Sequence, residues 1–547
     1  MSRYDHLDRD DLIRLLQRRD AERQLGLVWE RDEIDADAAL NEDYVALALD
    51  PALSHGDAPW TNMIIEGDNY DALRALRMSH KGAIRCIYID PPYNTGNRDF
   101  VYNDRFVDKT HRFRHSLWLE FMYRRLTLAK ELLADDGVIF VSIDDNEIFR
   151  LGMLMDRVFG EDNFIANVIW QKVYSPKNSA QHFSDDHEYI LIFAKSKDSW
   201  CPNPLPRNES QDSAYKNPDN DPRGAWKASD MSARNYYGEG TYSIQTPSGR
   251  KIDGPPSGRY WVISESKFKE MDSDSRIWWG KEGGNIPAVK RFLSEVKQGV
   301  VPQTLWTYSE VGHTQDAKKQ LLDVLRFETS ADVFSTPKPV QLMERILRIA
   351  SNPGDTILDF FAGSGTLAQA VAKLNAEDGG DRRFILVSST ERTDEQPEKN
   401  LCRDVCAERV RRVLGGYTNA KGEAVAGLGG GFAYLRTQRV PKHRLNLKLA
   451  HAEVWSALQL LHEKPLSPWS GAGFAADGDL AYLADFREAH VAQLRAWLDA
   501  ADAMTEATAV STSRTIYSWA PERLRALAPN ADWRPIPQHL RDRFGRG

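Results

Sequence analysis

Ile84-Arg85-Cys86-Ile87-Tyr88-Ile89-Asp90-Pro91-Pro92-Tyr93 is the stretch that decides how this chain folds. Its first part, mostly apolar and rich in β-branched and aromatic residues, reads as a buried strand. Consecutive prolines cannot extend that strand, so Asp90 and Tyr93 are expected just beyond its carboxyl end. A second stretch has the same grammar: Thr356-Ile357-Leu358 runs into Asp359-Phe360-Phe361-Ala362-Gly363-Ser364-Gly365-Thr366. In an open α/β sheet, ligands bind at that edge.

Around both stretches an α/β rhythm is legible. Residues 63–68 read as a strand and its turn, with Asn69 as N-cap of a helix carrying Leu73 and Leu76. A long amphipathic helix is expected over 116–133, strands over 137–143 and 189–193, and a helix over 148–159 between them. From about 200 to 327 the chain turns dense in Pro, Gly, Ser and aromatics, as short strands joined by turns require. The rhythm resumes with a helix over 339–350, a strand over 356–361, a helix over 366–374, a strand over 383–388 and a helix over 400–414. One α/β domain split by an insertion is the economical reading. The expected boundaries are a charged helical arm over 1–60, α/β halves over 61–199 and 331–415, a β-rich insertion over 200–330, and an α+β tail domain over 416–547.

Composition sets outer limits. A chain of 547 residues can bury a large core, and its net charge of −8 means that any nucleic-acid surface must be local. Four cysteines without metal-ligand spacing fit structural thiols in a reducing compartment. With no apolar signal core at the start and no run of membrane-spanning length, a cytoplasmic protein is expected, with no membrane partner.

The two tips suit different chemistry. An exocyclic amine on a base is a poor nucleophile because its lone pair is delocalised into the ring. A carboxylate from Asp90 and the carbonyl of Pro91, held rigid by Pro92, would accept its two N–H bonds and make that lone pair available. Tyr93 would stack on a base that has left the duplex. At the second tip, Gly363 and Gly365 let backbone approach a ligand ahead of a helix N-terminus. Asp359 could hold a cationic amino group there, and Glu391, ending the next strand, could bind ribose hydroxyls. The paired tips point to transfer of a methyl group from a nucleoside cofactor to an amino base. No phosphate-cradling Gly-x-x-x-x-Gly-Lys-Ser/Thr string occurs.

The insertion is the natural sequence reader. Residues 167–331 hold 22 Lys+Arg against 21 Asp+Glu and seven of the fifteen tryptophans, in a chain otherwise acidic. Basic residues interleave with aromatics at Arg223, Lys227, Arg234, Arg250, Lys251, Arg259, Lys290 and Arg291, as a nucleic-acid face needs. The alternative is a small β core with a solvated charged surface. Asp144-Asp145-Asn146-Glu147 reads as a helix cap with first-turn acids rather than a metal cluster, and His182 and His187 as polar loop residues.

On these residues the sequence resembles the β-class DNA amino-methyltransferases, in which the Asp-Pro-Pro-Tyr tetrapeptide precedes the Phe-x-Gly-x-Gly loop. It is most similar to the modification subunits of type III restriction–modification systems, through Gly67-Asp68-Asn69, Ile89 to Gly96, Asp136 to Asp145, His187 to Leu191, Thr336-Pro337-Lys338-Pro339, the glycine loop and Leu374 to Gly380. The resemblance implies a Rossmann-like α/β domain whose mixed sheet ends in an antiparallel hairpin, with a target-recognition insertion. It implies S-adenosyl-L-methionine as methyl donor, with Asp68, Lys338, Asp359, Phe361, Gly363, Gly365, Thr366 and Glu391 around it. Asp90, Pro91, Pro92 and Tyr93 become the catalytic group, and the leading Asp points to adenine N6 in duplex DNA. No metal is required. A homodimer and a helicase–nuclease restriction subunit are implied partners. An orphan methyltransferase, an RNA amino-methyltransferase and a non-catalytic recognition subunit remain alternative readings.

Overall fold

The apolar runs become the middle of one large mixed sheet. In chain order its strands are β1 (Tyr44–Leu49), β2 (Met63–Glu66), β3 (Ile84–Ile89), β4 (Leu133–Ile143), β5 (Phe164–Gln171), β6 (His187–Ala194), β7 (Leu305–Trp306), β8 (Thr356–Asp359), β9 (Arg383–Ser388) and β10 (Ala433–Val440). They lie side by side as β1-β10-β2-β9-β8-β3-β4-β6-β5-β7. The strands from β10 through β4 run parallel, with β1 antiparallel to β10. On the other side β6 and β5 form an antiparallel hairpin, and β7 joins β5 in parallel. The structure, a computed structural model, describes residues 8–9, 11–14, 27, 29, 43–96, 101–102, 105–106, 113–207, 212–296, 299–327, 334, 336–392, 397–508 and 514–545.

Helices α1 (Asn69–His80), α2 (Arg114–Leu132), α3 (Ile148–Phe159), α4 (Val340–Ala350) and α5 (Thr366–Asp378) connect and cover the sheet. From β3 the chain leaves through α2 to β4 on one side; from β8 it leaves through α5 to β9 on the other. These two strands are direct neighbours, Leu358 lying opposite Ile87. Asp90 and Asp359 therefore end adjacent strands where the connections diverge, the place where such sheets open a crevice. Burial of β3 and β8 on both faces explains why they are mostly apolar, with Arg85 and Thr356 as their partly buried exceptions.

Several expected boundaries move. Residues 44–49, assigned to a helical arm, are strand β1, because they pair with β10 from the far end of the chain. Most of the arm lies outside the described residues. The α/β domain likewise continues past residue 415 to include β10. Asn203–Pro302 forms a compact unit of its own, and the rest of the chain forms the other. The stretch 303–330 thus leaves the insertion: β7 extends the large sheet and Thr314–Val324 is helical. The compact unit holds a three-stranded antiparallel sheet, Ile277–Trp278, Ala288–Phe292 and Trp226–Asp230, beside a core of Met231, Ile244, Trp261, Phe268, Ile277 and Trp279. The tail carries a four-stranded sheet of Phe474–Asp477, Leu480–Leu483, Thr515–Ser518 and Asp532–Pro535. Among the described residues, no helix is long and apolar enough to cross a membrane.

Candidate active site

At the end of β3 the prolines turn the chain, and Asn94 closes the tip in the left-handed region with φ of 55°. Trp118 on α2 donates its indole N–H to the Pro92 carbonyl at 2.7 Å, fixing the turn. Among the described residues, none donates to the Pro91 carbonyl, which leaves it able to accept from a ligand. Asp90 sits in a dense polar cluster. Its Oδ1 accepts from the Tyr93 hydroxyl at 2.8 Å, and its Oδ2 accepts from Lys338 Nζ at 2.6 Å. The same Tyr93 hydroxyl lies 3.0 Å from Glu188 Oε2, and Lys172 Nζ donates to Glu188 Oε1 at 3.2 Å. Lys338 also lies 5.2 Å from the centre of the Tyr93 ring.

Burial lifts the Asp90 carboxyl above its usual value, with Glu188 adding to the rise and Lys338 opposing it. Burial would lower Lys338, but Asp90 and Glu188 outweigh it and raise the ammonium. Lys338 was expected against the cofactor. The structure instead seats it on Asp90, 248 residues away in sequence. Glu188 and Lys172 escaped the sequence reading of the site. An acid at the start of an apolar strand was the available signal for Glu188, because a period of two places it with Ile190 and Ile192 on one face. His187, read as a loop residue, begins that strand.

At the end of β8, Asp359 is buried and its Oδ1 accepts the Phe361 backbone N–H at 2.9 Å. Among the described residues it has no cationic partner within bonding distance. Burial pushes its carboxyl well above the usual carboxylate range, and nearby Asp90 adds to the rise. Gly363 and Gly365 have φ of 50° and 75°. A Cβ on Gly363 would lie 2.9 Å from the Phe334 ring, and one on Gly365 would lie 3.1 Å from both the carbonyl and Sγ of Cys406. Glycine is therefore required at both positions for conformation and for space. Arg409, fully buried, staples the loop from behind: Nη1 donates to Ser364 Oγ at 3.0 Å and Thr366 Oγ1 at 2.7 Å, and Nε to Gln369 at 3.0 Å. Burial brings its guanidinium down to about 10. Thr366, expected near the cofactor, spends its hydroxyl on Arg409.

The flanks of this tip are partly occupied. Asp68, not Asn69, caps α1, accepting from the N–H groups of Tyr70 and Asp71. Its other oxygen accepts from Arg125 at 3.1 Å, and Arg125 lies over the Phe121 ring, which is 6.0 Å from Phe361. Asn69 donates to the Phe360 carbonyl at 3.0 Å and ties α1 to the loop. Glu391 is exposed, has φ of 50° and pairs with Lys399 at 3.0 Å. Glu66, read from sequence only as part of a strand and its turn, ends β2 and accepts from Asn400 at 2.9 Å and from the Tyr434 hydroxyl. Asp144 closes a turn onto Asn146 rather than capping α3, and Glu147 is buried against Asn94 and His115.

In the compact unit, basic residues divide into two groups. Arg223 pairs with Asp221 and Asp274, Arg259 with Asp230, and buried Lys290 with Asp219 and Asp221. These three were expected at a nucleic-acid face, but they hold the unit together instead. Arg250 donates to the Gly284 carbonyl, and Lys251 pairs with Asp253 on the surface. Lys227, Arg234 and Arg291 are exposed and, among the described residues, have no acidic partner. Arg291 lies directly opposite Lys227 in the sheet register.

A parallel-centred sheet with an acid–Pro–Pro–Tyr tip beside an acid–glycine-loop tip defines an α/β protein with two polar strand tips meeting at its switch point. The chain belongs to the DNA methylase family (N6_N4_Mtase), whose pattern matches residues 84–391, more than half its length. It is 36% identical over 382 residues to the type III restriction-modification enzyme StyLTI Mod subunit of Salmonella typhimurium, covering 64% of this chain and 57% of that protein. It is 34% identical to the EcoPI Mod subunit of Escherichia phage P1, covering 60% of this chain and 58% of that one. The type II methyltransferase M.KpnI of Klebsiella pneumoniae is 33% identical, with 60% of this chain and 81% of that protein covered. The matched region thus spans little more than half of each Mod subunit. Among solved structures, the cytosine-N4-specific PvuII DNA methyltransferase aligns at 14% identity and a TM-score of 0.33, covering 68% of this chain and 97% of that one.

Proposed function

We propose that the protein transfers a methyl group from S-adenosyl-L-methionine to N6 of adenine at specific sites in duplex DNA. One observation carries this reading: Asp90 and Asp359 end neighbouring strands at the switch point, so an amine acceptor and a cationic donor tail would meet over one crevice. The residues fit the donor. The Gly363 backbone has no side chain to fill the cradle, Phe361 borders it, and Asp359 is a buried carboxylate with no cation within bonding distance among the described residues. A bound donor would supply the methyl group: the amine nitrogen would use its lone pair to form the C–N bond as the C–S bond pair returns to sulfur, and the amine would give up one proton. Asp90 and the Pro91 carbonyl orient the amine by accepting its N–H bonds, and the carboxylate receives the released proton. Tyr93 stacks on the extruded base, which offsets part of an unstacking cost of a few kcal/mol.

The leading Asp of the tetrapeptide supports adenine over cytosine, and the relatives named Mod subunits support a restriction–modification setting. The compact unit 203–302 serves as sequence reader, with Lys227, Arg234 and Arg291 as its available phosphate contacts. A homodimer and a nuclease partner complete the proposal. Methylation-sensitive long-read sequencing of DNA from cells expressing the protein is expected to show N6-methyladenine at one recurrent site. Methyl label incorporated into RNA but not duplex DNA would overturn the substrate, and an absence of transfer to either would overturn the enzyme.

A further inference from the structure

Four charged groups and one hydroxyl close on themselves behind the tetrapeptide. Lys338 Nζ is 2.6 Å from Asp90 Oδ2 and 3.7 Å from Glu188 Oε2. The Tyr93 hydroxyl bridges the other Asp90 oxygen and the same Glu188 oxygen at 2.8 and 3.0 Å. Lys172 supplies the second cation from the outer side of Glu188. Two carboxylates and two ammonium groups leave the cluster neutral when all are ionised, which is the condition under which buried charges are tolerated.

Glu188 holds a particular place in this ring. It is buried and makes no direct bond to Asp90, but it contacts both groups that do. Without it, the Lys338 ammonium would have one anchor and freedom to swing toward the neighbouring tip, and the Tyr93 hydroxyl would lose its second acceptor. The chain delivers the parts from three elements: Tyr93 from the turn after β3, Glu188 from the start of β6 and Lys338 from the segment leading into α4. Asp90 is also faced by Tyr88 and, across the crevice, by Asp359.

We propose that Glu188 and Lys338 are positioning residues for methyl transfer: Lys338 keeps the Asp90 carboxylate charged and serves it rather than the donor, while Glu188 anchors Lys338 and the Tyr93 hydroxyl so that the carboxylate stays aimed at the amine. The proposal rests on the amino-methyltransferase reading. Removing the Lys338 cation makes ionisation of Asp90 harder, whereas removing the Glu188 anion makes it easier. The two substitutions therefore move the acid limb of the activity profile in opposite directions, which loss of packing alone does not do.

The test measures kcat, KM for DNA, donor Kd by calorimetry and the pH dependence of kcat/KM for the full-length protein. Lys338→Met is expected to lower kcat about 10- to 100-fold and raise the acid limb by about half to one pH unit. Glu188→Gln is expected to lower kcat roughly tenfold and shift that limb to lower pH. Donor Kd stays within about twofold for both. Lys338→Arg, which keeps the charge, recovers the limb position. A tenfold rise in donor Kd for Lys338→Met with an unmoved limb would return that lysine to the cofactor and overturn the proposal, as would wild-type kcat in Glu188→Gln. If Glu188→Gln alone does not fold, Glu188→Gln with Lys172→Met removes one charge of each sign and gives the same reading. A wild-type protein that transfers no methyl group defeats the parent reading instead; active protein with unmoved limbs defeats only this proposal.

Discussion

The two strand tips lie side by side and follow opposite electrostatic plans. At the end of β3 every charge has a partner: Asp90 with Lys338, Glu188 with Lys172, and Tyr93 between the carboxylates. At the end of β8 a buried carboxylate, Asp359, accepts a backbone N–H and, among the described residues, has no cation within bonding distance, while a buried guanidinium, Arg409, holds hydroxyls and has no carboxylate partner among those residues. The first tip is complete before a ligand arrives, as preorganised chemistry demands. The second is left short of one positive charge, as a site for a cationic ligand demands. A fold that buries an unpaired acid gives up stability that binding can restore.

The sharpest way to break this contrast is at Asp90. Asp90→Ala is expected to reduce methyl transfer about 10³-fold or more, since in the proposed mechanism it removes the group that orients the amine and takes its proton. Donor affinity, which the proposal assigns to the other tip, is expected to stay within about twofold. Single-turnover transfer of labelled methyl and calorimetric donor titration separate the effects. An equal loss of both would show that the tips are not independent.

Asp359 sharpens the contrast from the other side. Asp359→Asn is expected to weaken donor binding about 10- to 100-fold while raising the stability of the ligand-free protein at neutral pH by about 1 kcal/mol or more. The sign follows from the raised carboxyl. A group whose folded value lies above its unfolded one contributes stability fully below the ordinary carboxylate value of about 4. That contribution is lost as pH rises through the raised folded value. Wild-type melting temperature should therefore fall across that window without donor and fall less with donor bound, whereas in the Asn variant the fall should be shallower and its dependence on donor lost. Calorimetric melts at several pH values read this directly.

Both tips were legible in the sequence because each is a short, largely buried strand ended by residues that cannot continue it. Their partners were not. Lys338 comes from a helix-entry segment far downstream, and no local pattern distinguishes a lysine aimed at a cofactor from one aimed at Asp90. Strand β1 was hidden for a related reason: Tyr44 to Leu49 lie next to acidic, helix-like sequence, and only pairing with β10 makes them a strand. The basic residues of the compact unit failed at a finer level. Lys290 and Arg291 are adjacent in sequence but point to opposite faces of one strand, so one is buried on Asp221 and the other exposed. Composition sees two cations; register decides which is available.

A smaller perturbation tests whether the glycine loop is shaped for its ligand or only for its own fold. Gly365→Ala meets the carbonyl and Sγ of Cys406 and forces alanine into a left-handed conformation, a cost of roughly 1–2 kcal/mol from the backbone alone. Because Gly365 packs backward onto the segment before Arg409, the expected loss appears in melting temperature together with a several-fold rise in donor Kd. Methyl transfer at saturating donor should hardly change, which keeps this tip's contribution distinct from that of Asp90.

The smallest effect lies in the compact unit, where the same division into satisfied and waiting charges recurs. Lys227 and Arg291 are directly opposed like charges, an arrangement that disfavours the sheet, and neither has an acidic partner among the described residues. A phosphate between them would reverse that cost. Lys227→Ala and Arg291→Ala are each expected to lower the slope of log affinity against log salt by about 1, weakening all DNA sequences alike and leaving stability unchanged or slightly raised. Lys290→Ala should do the opposite: it leaves Asp219 and Asp221 buried without their cation, so the unit loses stability before any salt dependence changes. Binding to a specific and an unrelated duplex across a salt series, alongside melting curves, distinguishes the two outcomes. An unchanged slope for Lys227→Ala would mean that exposure in this unit does not mark contact, and that the reading face must be sought elsewhere.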